Sequence, residues 1–266
     1  MPESRAPRPD QAGTERLQRA LARAGFGSRR SVEDLIRAGR VRIGPRPAVL
    51  GDRVDPGRDR ITVDGVPVAA DPDLRYFAFN KPAGVTVTLH DPHAERSLEG
   101  FLPPGPRVVP VGRLDRDSEG LLLFTNDGDL AHRLQHPSFG IEKEYLVEVE
   151  GVLSSSEVKQ LIRGVSLDDG PAKALRVSGV ERGRGRSAAN VVIAEGRKRE
   201  VRRMLQAVGH TVRRLVRVRI GPVRLTDLPP GQSRPLTSEE VRDLYRVTGL
   251  PKASVRGRSR RGRGSG

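Results

Sequence analysis

Apolar residues recur at helical spacing near the start of the chain and at strand spacing through its middle. Leu17, Ala20, Leu21 and Ala24 fall on one face of a helix that Gly25 stops. Ser28 or Ser31 can cap a second helix, whose apolar face is Val32, Leu35 and Ile36 and whose end is Gly39. Val41 and Ile43 alternate as a short strand. Val54 and Ile61-Thr62-Val63 continue as hairpin strands, with turns at Asp55-Pro56-Gly57 and Asp64-Gly65. Residues 15–65 therefore read as one compact unit. Asp71-Pro72-Asp73 reads as a linker, and a larger unit over residues 72–250 follows it.

One stretch organises that larger unit. From Val111 to Gly120 the chain is mostly charged or turn-forming, and it then runs straight into Leu121-Leu122-Leu123-Phe124. An apolar run of strand length bounded by turn signals predicts a fully buried strand, so the polar segment sits at the mouth of a buried sheet. Upstream, Tyr76 to Val85 reads as a strand entering a turn at Pro82 and Gly84. Downstream, Asn126 or Asp127 caps a helix bearing Leu130 and Leu134.

Ile141 to Glu150 alternates with period two. Ile141, Lys143, Tyr145, Val147 and Val149 share one face, and the other is almost all glutamate. Lys143 and Tyr145 thus point inward with the apolar residues. A helix over residues 156–164 and strands interrupted by an exposed basic loop, Glu181 to Arg186, come next. Asn190 to Glu195 is a buried strand, and Gly196-Arg197-Lys198-Arg199-Glu200 turns it into a helix whose core face is Val201, Met204, Leu205 and Val208. Thr211 to Ile220 alternates apolar residues with arginines, an amphipathic strand with a basic face. Helices and alternating strands in mixed order predict an α+β fold and not a doubly wound sheet.

Composition adds a partner. The 266 residues suit about two domains. Lys+Arg 48 against Asp+Glu 33 leaves a formal charge of +15, and lysine occurs only at positions 81, 143, 159, 173, 198 and 252. The arginine guanidinium suits phosphates and stacked bases, which favours a nucleic-acid partner. Residues 1–14 and 251–266 read as disordered tails, and the second holds six basic residues and no acidic ones.

The exclusions are equally useful. The absence of cysteine rules out disulfides, thiolate metal sites and cysteine nucleophiles. The five histidines lack ligand spacing, and there is no phosphate-binding or dinucleotide glycine loop and no nucleophile elbow. No metal and no small-molecule cofactor are expected. With no signal peptide and no apolar run near the roughly 20 residues of a membrane span, the chain is expected to be cytoplasmic, without a membrane partner, and a monomer.

What remains is a carboxylate, Asp115, flanked by Arg113 and Arg116, which favours its charged form. Cations also stand at two helix N-termini, Arg29-Arg30 and Arg197-Lys198-Arg199, where the helix dipole disfavours them and an outside anion would not. Arg37, Arg40 and Arg42 gather beside the first of these. One carboxylate working on RNA without a cofactor suggests attack at a sugar anomeric carbon or addition to a pyrimidine ring, after the base has left its stack.

Two resemblances sharpen this. Arg16-Leu17, Leu21-Ala22-Arg23-Ala24-Gly25, Ser28-Arg29-Arg30, Ile36, Gly39-Arg40-Val41 and Asp64-Gly65 resemble the alpha-L RNA-binding motif first described in a small-subunit ribosomal protein. Gly112-Arg113-Leu114-Asp115 with Asp117, Gly120-Leu121 and Thr125-Asn126-Asp127-Gly128 resembles the signature of the ribosomal pseudouridine synthases of the RsuA/RluB group. Asn80-Lys81-Pro82-Gly84, Lys143-Tyr145 and Glu195 to Met204 extend the match. The resemblance implies isomerisation of uridine to pseudouridine in ribosomal RNA, free or in a pre-ribosomal particle. It implies Asp115 as the catalytic aspartate, attacking either the ribose or the uracil ring. Tyr145 would stack on the flipped uracil and help remove a proton, and Arg202 would pair with Asp115. Arg113 would enter the RNA stack or hold a phosphate, and Lys143 would support the site by charge. Arg29, Arg30, Arg37, Arg40, Arg197, Lys198 and Arg199 are the expected RNA contacts. Members act on either subunit's RNA, and the basic tail favours the large subunit, because RluB-like members tend to carry such extensions. A non-catalytic ribosome-assembly factor would use the same basic surfaces. A glycosidase would need a second carboxylate, for which Asp117 and Glu119 are available.

Overall fold

The computed structural model describes residues 14–24, 26–55, 59–68, 74–88, 96–183 and 185–250. Both tails apart from Thr14, the Asp71-Pro72-Asp73 linker, the helix stop Gly25, the turn residues Pro56-Gly57 and Arg184 lie outside them.

In the N-terminal unit, α1 (Leu17–Arg23) and α2 (Arg29–Arg37) form where the apolar spacing places them. Ser28 is the cap of α2, its hydroxyl accepting the Ser31 amide at 3.1 Å. Strands β1 (Val41–Ile43) and β2 (Ile61–Val63) pair antiparallel with Val41 opposite Val63. Leu17, Leu21, Val32, Ile36, Val54 and Ile61 close a core of their own, each such side chain contributing roughly 1.5–3 kcal/mol on burial.

The larger unit runs β3 (Tyr76–Lys81), β4 (Glu119–Thr125), α3 (Gly128–Gln135), β5 (Lys143–Glu150), α4 (Ser155–Arg163), β6 (Arg176–Gly183), β7 (Arg186–Ile193), α5 (Glu200–Ala207), β8 (Val212–Ile220), β9 (Ser233–Pro235) and α6 (Ser238–Val247). These strands form one sheet in the order β6-β7-β5-β8-β4-β3-β9, with short strands beside β4 and β8. The fold is α+β, as expected. Its strand pairings are antiparallel except where β8 meets β4, in parallel, through Val216 opposite Glu119 and Arg217 opposite Gly120. Leu161 of α4 and Val201, Met204 and Leu205 of α5 cluster with Tyr145, Val147, Val191 and Leu215 of the sheet. Leu130 and Leu134 of α3 and Leu244 of α6 cluster with Leu121, Leu123 and Ile220. Among the described residues no helix is long and apolar enough to cross a membrane.

Two expectations are corrected. Glu181 to Arg186 is not an open loop but the end of the β6–β7 hairpin, with Arg182 opposite Ser187 and Gly183 opposite Arg186. Nor does β8 alternate cleanly. Register shifts against β5 fall at Arg213 and Val218, and between them Leu215, Val216 and Arg217 are buried in succession. Its other arginines meet the glutamates predicted on the polar face of β5. Arg219 lies 2.8 Å from Glu144 and 2.9 Å from Glu142, and Arg214 lies 3.6 Å from Glu148 and, across on β4, 2.9 Å from Glu119. The basic face is therefore neutralised within the sheet.

Helix α6, which no pattern singled out, is fixed by a capping box of Thr237 and Glu240. Its Tyr245 hydroxyl lies 2.9 Å from that of Tyr76, and both bond the carboxylate of Asp127, the cap of α3. Arg19 of α1 reaches Asp129 at 2.6 Å, joining the small unit to α3.

Gly120 makes the parallel junction possible. Its φ is +100°, and a Cβ there would overlap the backbone oxygen of Arg217 and lie 2.7 Å from its nitrogen. Gly120→Ala is expected to destabilise the chain by roughly 2–5 kcal/mol in urea unfolding, combining backbone strain with overpacking. A second prediction concerns His210, whose Nδ1 faces the Glu150 carbonyl at 2.7 Å and whose Nε2 faces the Glu157 carboxylate at 3.1 Å. Burial opposes its charge, but these two acceptors outweigh burial and raise its pKa. A raised imidazole pKa contributes stability that is complete below the ordinary value near 6.5 and lost as pH rises through the folded value. Between pH 6 and 9 the melting temperature should fall further in the wild-type chain than in His210→Gln. Parallel curves would mean that the folded ring is neutral.

Candidate active site

The loop that carries Asp115 enters β4 with its carbonyls turned toward the interior, and two buried cations receive them. Lys81, fully buried at the end of β3, donates its Nζ to the carbonyls of Ser118 at 2.6 Å, Pro82 at 3.0 Å and Arg116 at 3.3 Å. Arg217, 3% exposed, donates Nε to Leu121 at 2.7 Å and Nη1 to Arg113 at 3.4 Å. Both sides of Asp115 are thereby tied to the sheet. Burial pushes the Lys81 ammonium down to about 8, against the attraction of Asp117, Glu119 and Asp115.

Above this floor opens a cavity of about 410 Å³. Asp115 and Arg113 line it from the loop, Lys143 and Tyr145 from β5, and Lys198 and Arg199 from the approach to α5. The loop, β5 and the approach to α5, which also places Arg197 on the wall, thus bring six of the expected site residues together with Asp115.

The immediate partners differ from expectation. Among the described residues the Asp115 carboxylate forms no ion pair or side-chain hydrogen bond, and Arg113 is exposed. Closeness in sequence to Arg113 and Arg116 therefore does not anchor Asp115. Arg202 does not pair with Asp115 either. Its Nη2 lies 3.2 Å from Asp117 Oδ2 and donates to the Asp117 carbonyl, while Nη1 donates to Val212 at 3.1 Å. Arg199 adds two bonds to the Asp117 carboxylate, at 3.1 and 3.2 Å. Positions 199 and 202 are one turn apart on one face of the helix start, and that face meets Asp117. Burial opposes its charge, yet Arg199 and Arg202 hold the Asp117 carboxyl below the usual range. Arg199 reaches this place through a left-handed backbone, φ +51°, at a cost of about 1–2 kcal/mol.

Tyr145 is 7% exposed. Lys143 Nζ donates to the carbonyls of Glu195 at 3.2 Å and Ile141 at 3.4 Å. Burial first, and the charge of Arg217 second, push its pKa down to about 8.

The expected RNA contacts divide in two. Arg197 is bound inward, reaching Pro171 O at 2.8 Å and Asp169 Oδ1 at 3.1 Å on the hairpin after α4 and Glu195 at 3.1 Å. Arg40 clasps Asp64 at 2.6 and 2.9 Å, and Arg37 meets Asp34 at 2.7 Å. With Arg199 these four have protein partners. Arg29, Arg30 and Lys198 are exposed without one among the described residues, as is Arg113. Arg29 also lines a cleft between α1, α2 and the start of α3. No group of three or more acidic or histidine side chains that could hold a metal occurs among the described residues.

Sequence reasoning missed Lys81 and Arg217 as site residues. Lys81 ends an apolar strand at a Lys-Pro step, a usable signal. Arg217 sits between valines in a strand rich in arginine, and only the register shift distinguishes it.

The chain matches the family model for RNA pseudouridylate synthase over residues 75–207 and that for the S4 domain over residues 15–61. It is 45% identical to an uncharacterized RNA pseudouridine synthase of Mycobacterium leprae, covering 90% of this chain and 95% of the relative. It is 45% identical to ribosomal large subunit pseudouridine synthase B of Vibrio cholerae, over 89% of this chain and 76% of the relative. The Escherichia coli K12 protein of the same name is 44% identical over 90% and 84%. A crystal structure of a pseudouridylate synthase superposes with a TM-score of 0.61 at 28% identity, over 86% of this chain and 99% of the other.

Lys81→Met should leave three carbonyls of the loop and its neighbour without their donor, at about 1–3 kcal/mol for each that water cannot reach. Amide exchange at residues 114–118 is expected to speed up at least tenfold, with β7 unchanged. Unaltered exchange in the loop would show that the lysine does not hold it.

Proposed function

The chain belongs to the RNA pseudouridylate synthase family, and from that membership we propose that it converts a specific uridine of large-subunit ribosomal RNA to pseudouridine, with Asp115 as the catalytic carboxylate. As a pseudouridine synthase it is an isomerase. The large-subunit substrate follows the relatives that bear that name.

The observation that carries the mechanism is the grouping of Asp115, Lys143 and Tyr145 around one cavity with exposed cations at its rim. The reaction exchanges the bond from ribose C1′ to uracil N1 for one from C1′ to C5. A proton leaves C5 and one is gained at N1, so every atom is conserved and no cofactor is required by the balance. The uridine must first leave its stack. Exposed Arg113 occupies the space it leaves or holds its phosphate, while Arg29, Arg30 and Lys198 meet neighbouring phosphates. Asp115, whose carboxylate has no ion pair among the described residues, attacks the anomeric carbon or the ring. Tyr145 stacks on the uracil and assists removal of the C5 proton. Arg202 acts one step back: by gripping Asp117 it fixes the loop on which Asp115 stands.

Pseudouridine mapping of ribosomal RNA from cells with and without the gene is expected to reveal a uridine of the large subunit that is modified only when the gene is present. A change confined to the small subunit would overturn the substrate. In vitro, Asp115→Asn is expected to lower conversion by about a thousandfold or more while RNA affinity stays within about threefold. Retained conversion would remove Asp115 from its role.

A further inference from the structure

Lys143 and Arg217 stand apart from the other cations of the cavity wall. Both are turned inward, yet among the described residues each bonds only carbonyl oxygens. The Nη2 of Arg217 is buried without a hydrogen-bond partner. Arg217 lies directly opposite Tyr145 on the neighbouring strand, and Lys143 lies two residues along from Tyr145. Residues opposite one another, and residues two apart, share a sheet face. Lys143, Tyr145 and Arg217 are therefore three neighbours on the face that lines the cavity. Burying a cation costs several kcal/mol, and although Glu200, buried on the same wall, attracts Lys143, the repulsion from Arg217 is the larger of the two. Such an arrangement is complementary to an anion that forms between them during a reaction.

Exposed Lys198 and Arg113 already serve the RNA backbone at the rim, whereas these two lie where the base enters. Resting on the proposed function, we infer that Lys143, with Arg217 behind it, stabilises the negative charge that gathers on the uracil ring when the N1–C1′ bond breaks. Lys143 is then a catalytic residue and Arg217 a positioning one. When Asp115 attacks C1′, the electron pair of the broken bond stays with the ring, spread over N1, O2 and O4; when it adds at C6, negative charge gathers first on C5 and O4. The pair is returned when C5 bonds to C1′, C5 gives up its proton and N1 gains one. No oxidant or reductant enters. The Lys143 ammonium has three hydrogens and spends two on long bonds to Ile141 and Glu195, so the third is available to a uracil carbonyl oxygen. Arg217 holds the opposite wall positive and, through the Arg113 carbonyl, keeps the Asp115 loop in register with it.

The test uses the full chain and large-subunit ribosomal RNA transcribed with uridine or with 5-fluorouridine. Fluorine withdraws electrons, so a fluorouracil ring bears negative charge with less help. Single-turnover rates of N1–C1′ cleavage are followed at saturating enzyme by nuclease digestion and chromatography. Lys143→Met is expected to slow the uridine reaction by about a hundredfold or more, and the fluorouridine reaction by at least tenfold less. Lys143→Arg should retain the rate within about tenfold, and Arg217→Lys should fall between the two with the same discrimination between RNAs. RNA affinity should change less than threefold throughout. Equal losses on both RNAs would make these residues purely structural and overturn the inference. A loss of affinity with an unchanged rate would assign them to a phosphate and overturn it too. If Lys143→Met does not fold, the comparison rests on Lys143→Arg and Arg217→Lys, where equal losses on both RNAs again overturn the inference. Cleavage of neither RNA by the wild-type chain would bring down the proposed function itself, and that result is distinct from the others.

Discussion

The structure depends on the way two buried cations hold the backbone of one loop. A chain that enters a central strand from the polar side must turn some carbonyls inward, and each would cost about 1–3 kcal/mol if it found no donor. Lys81 comes from one neighbour of β4 and Arg217 from the other, so the loop between Arg113 and Leu121 is clamped from both flanks. Charged donors make stronger hydrogen bonds than neutral ones. The clamp acts on the backbone and leaves the Asp115 carboxylate without a bonding partner among the described residues. Rigidity of the loop and freedom of its acid are thereby separated, a useful arrangement for a group that must change partners during a reaction.

The same separation governs the arginines. A formal charge of +15 suggests a surface covered in phosphate-binding groups. Much of that arginine is instead internal scaffolding: Arg197 fastens a hairpin, Arg199 and Arg202 grip Asp117, and Arg214 and Arg219 join strands through glutamates. The guanidinium fork suits both tasks, since a carboxylate and a phosphate present similar pairs of oxygens. Arg29 and Arg30, exposed and without a partner among the described residues, stand at a helix N-terminus, the placement least favourable for the protein alone.

Much of this was legible along the chain because it rests on short-range pattern. The buried strand at Leu121 to Phe124, the helices over Leu17 and Val32, and the inward turn of Lys143 and Tyr145 follow from spacing alone. What escaped was set by pairing between distant strands. Nothing local announces that β8 slips against β5, so the burial of Arg217 could not be read from its neighbours. The choice between Asp115 and Asp117 as partner of Arg202 is likewise decided by where α5 lands on the loop, some 85 residues away in sequence. Helix α6 was missed for another reason: its sequence is ordinary, and its value lies in the tyrosine it delivers to Tyr76 and Asp127.

That last contact has a temporal consequence. The centre of the sheet interleaves early and late segments: β4 is flanked by β3, made about 40 residues earlier, and by β8, made about 90 residues later, and β3 takes β9 on its other side. While the chain is still being synthesised, β4 therefore lacks one of its two partners until β8 has left the ribosome. The hydroxyl of Tyr76 and the carboxylate of Asp127 wait longer still, for a helix that ends at Val247. The catalytic loop acquires its second clamp only when Arg217 arrives. A nascent chain that stops short of β8 and α6 carries Asp115 on an unfinished scaffold, so competence for chemistry waits on segments made long after the loop itself.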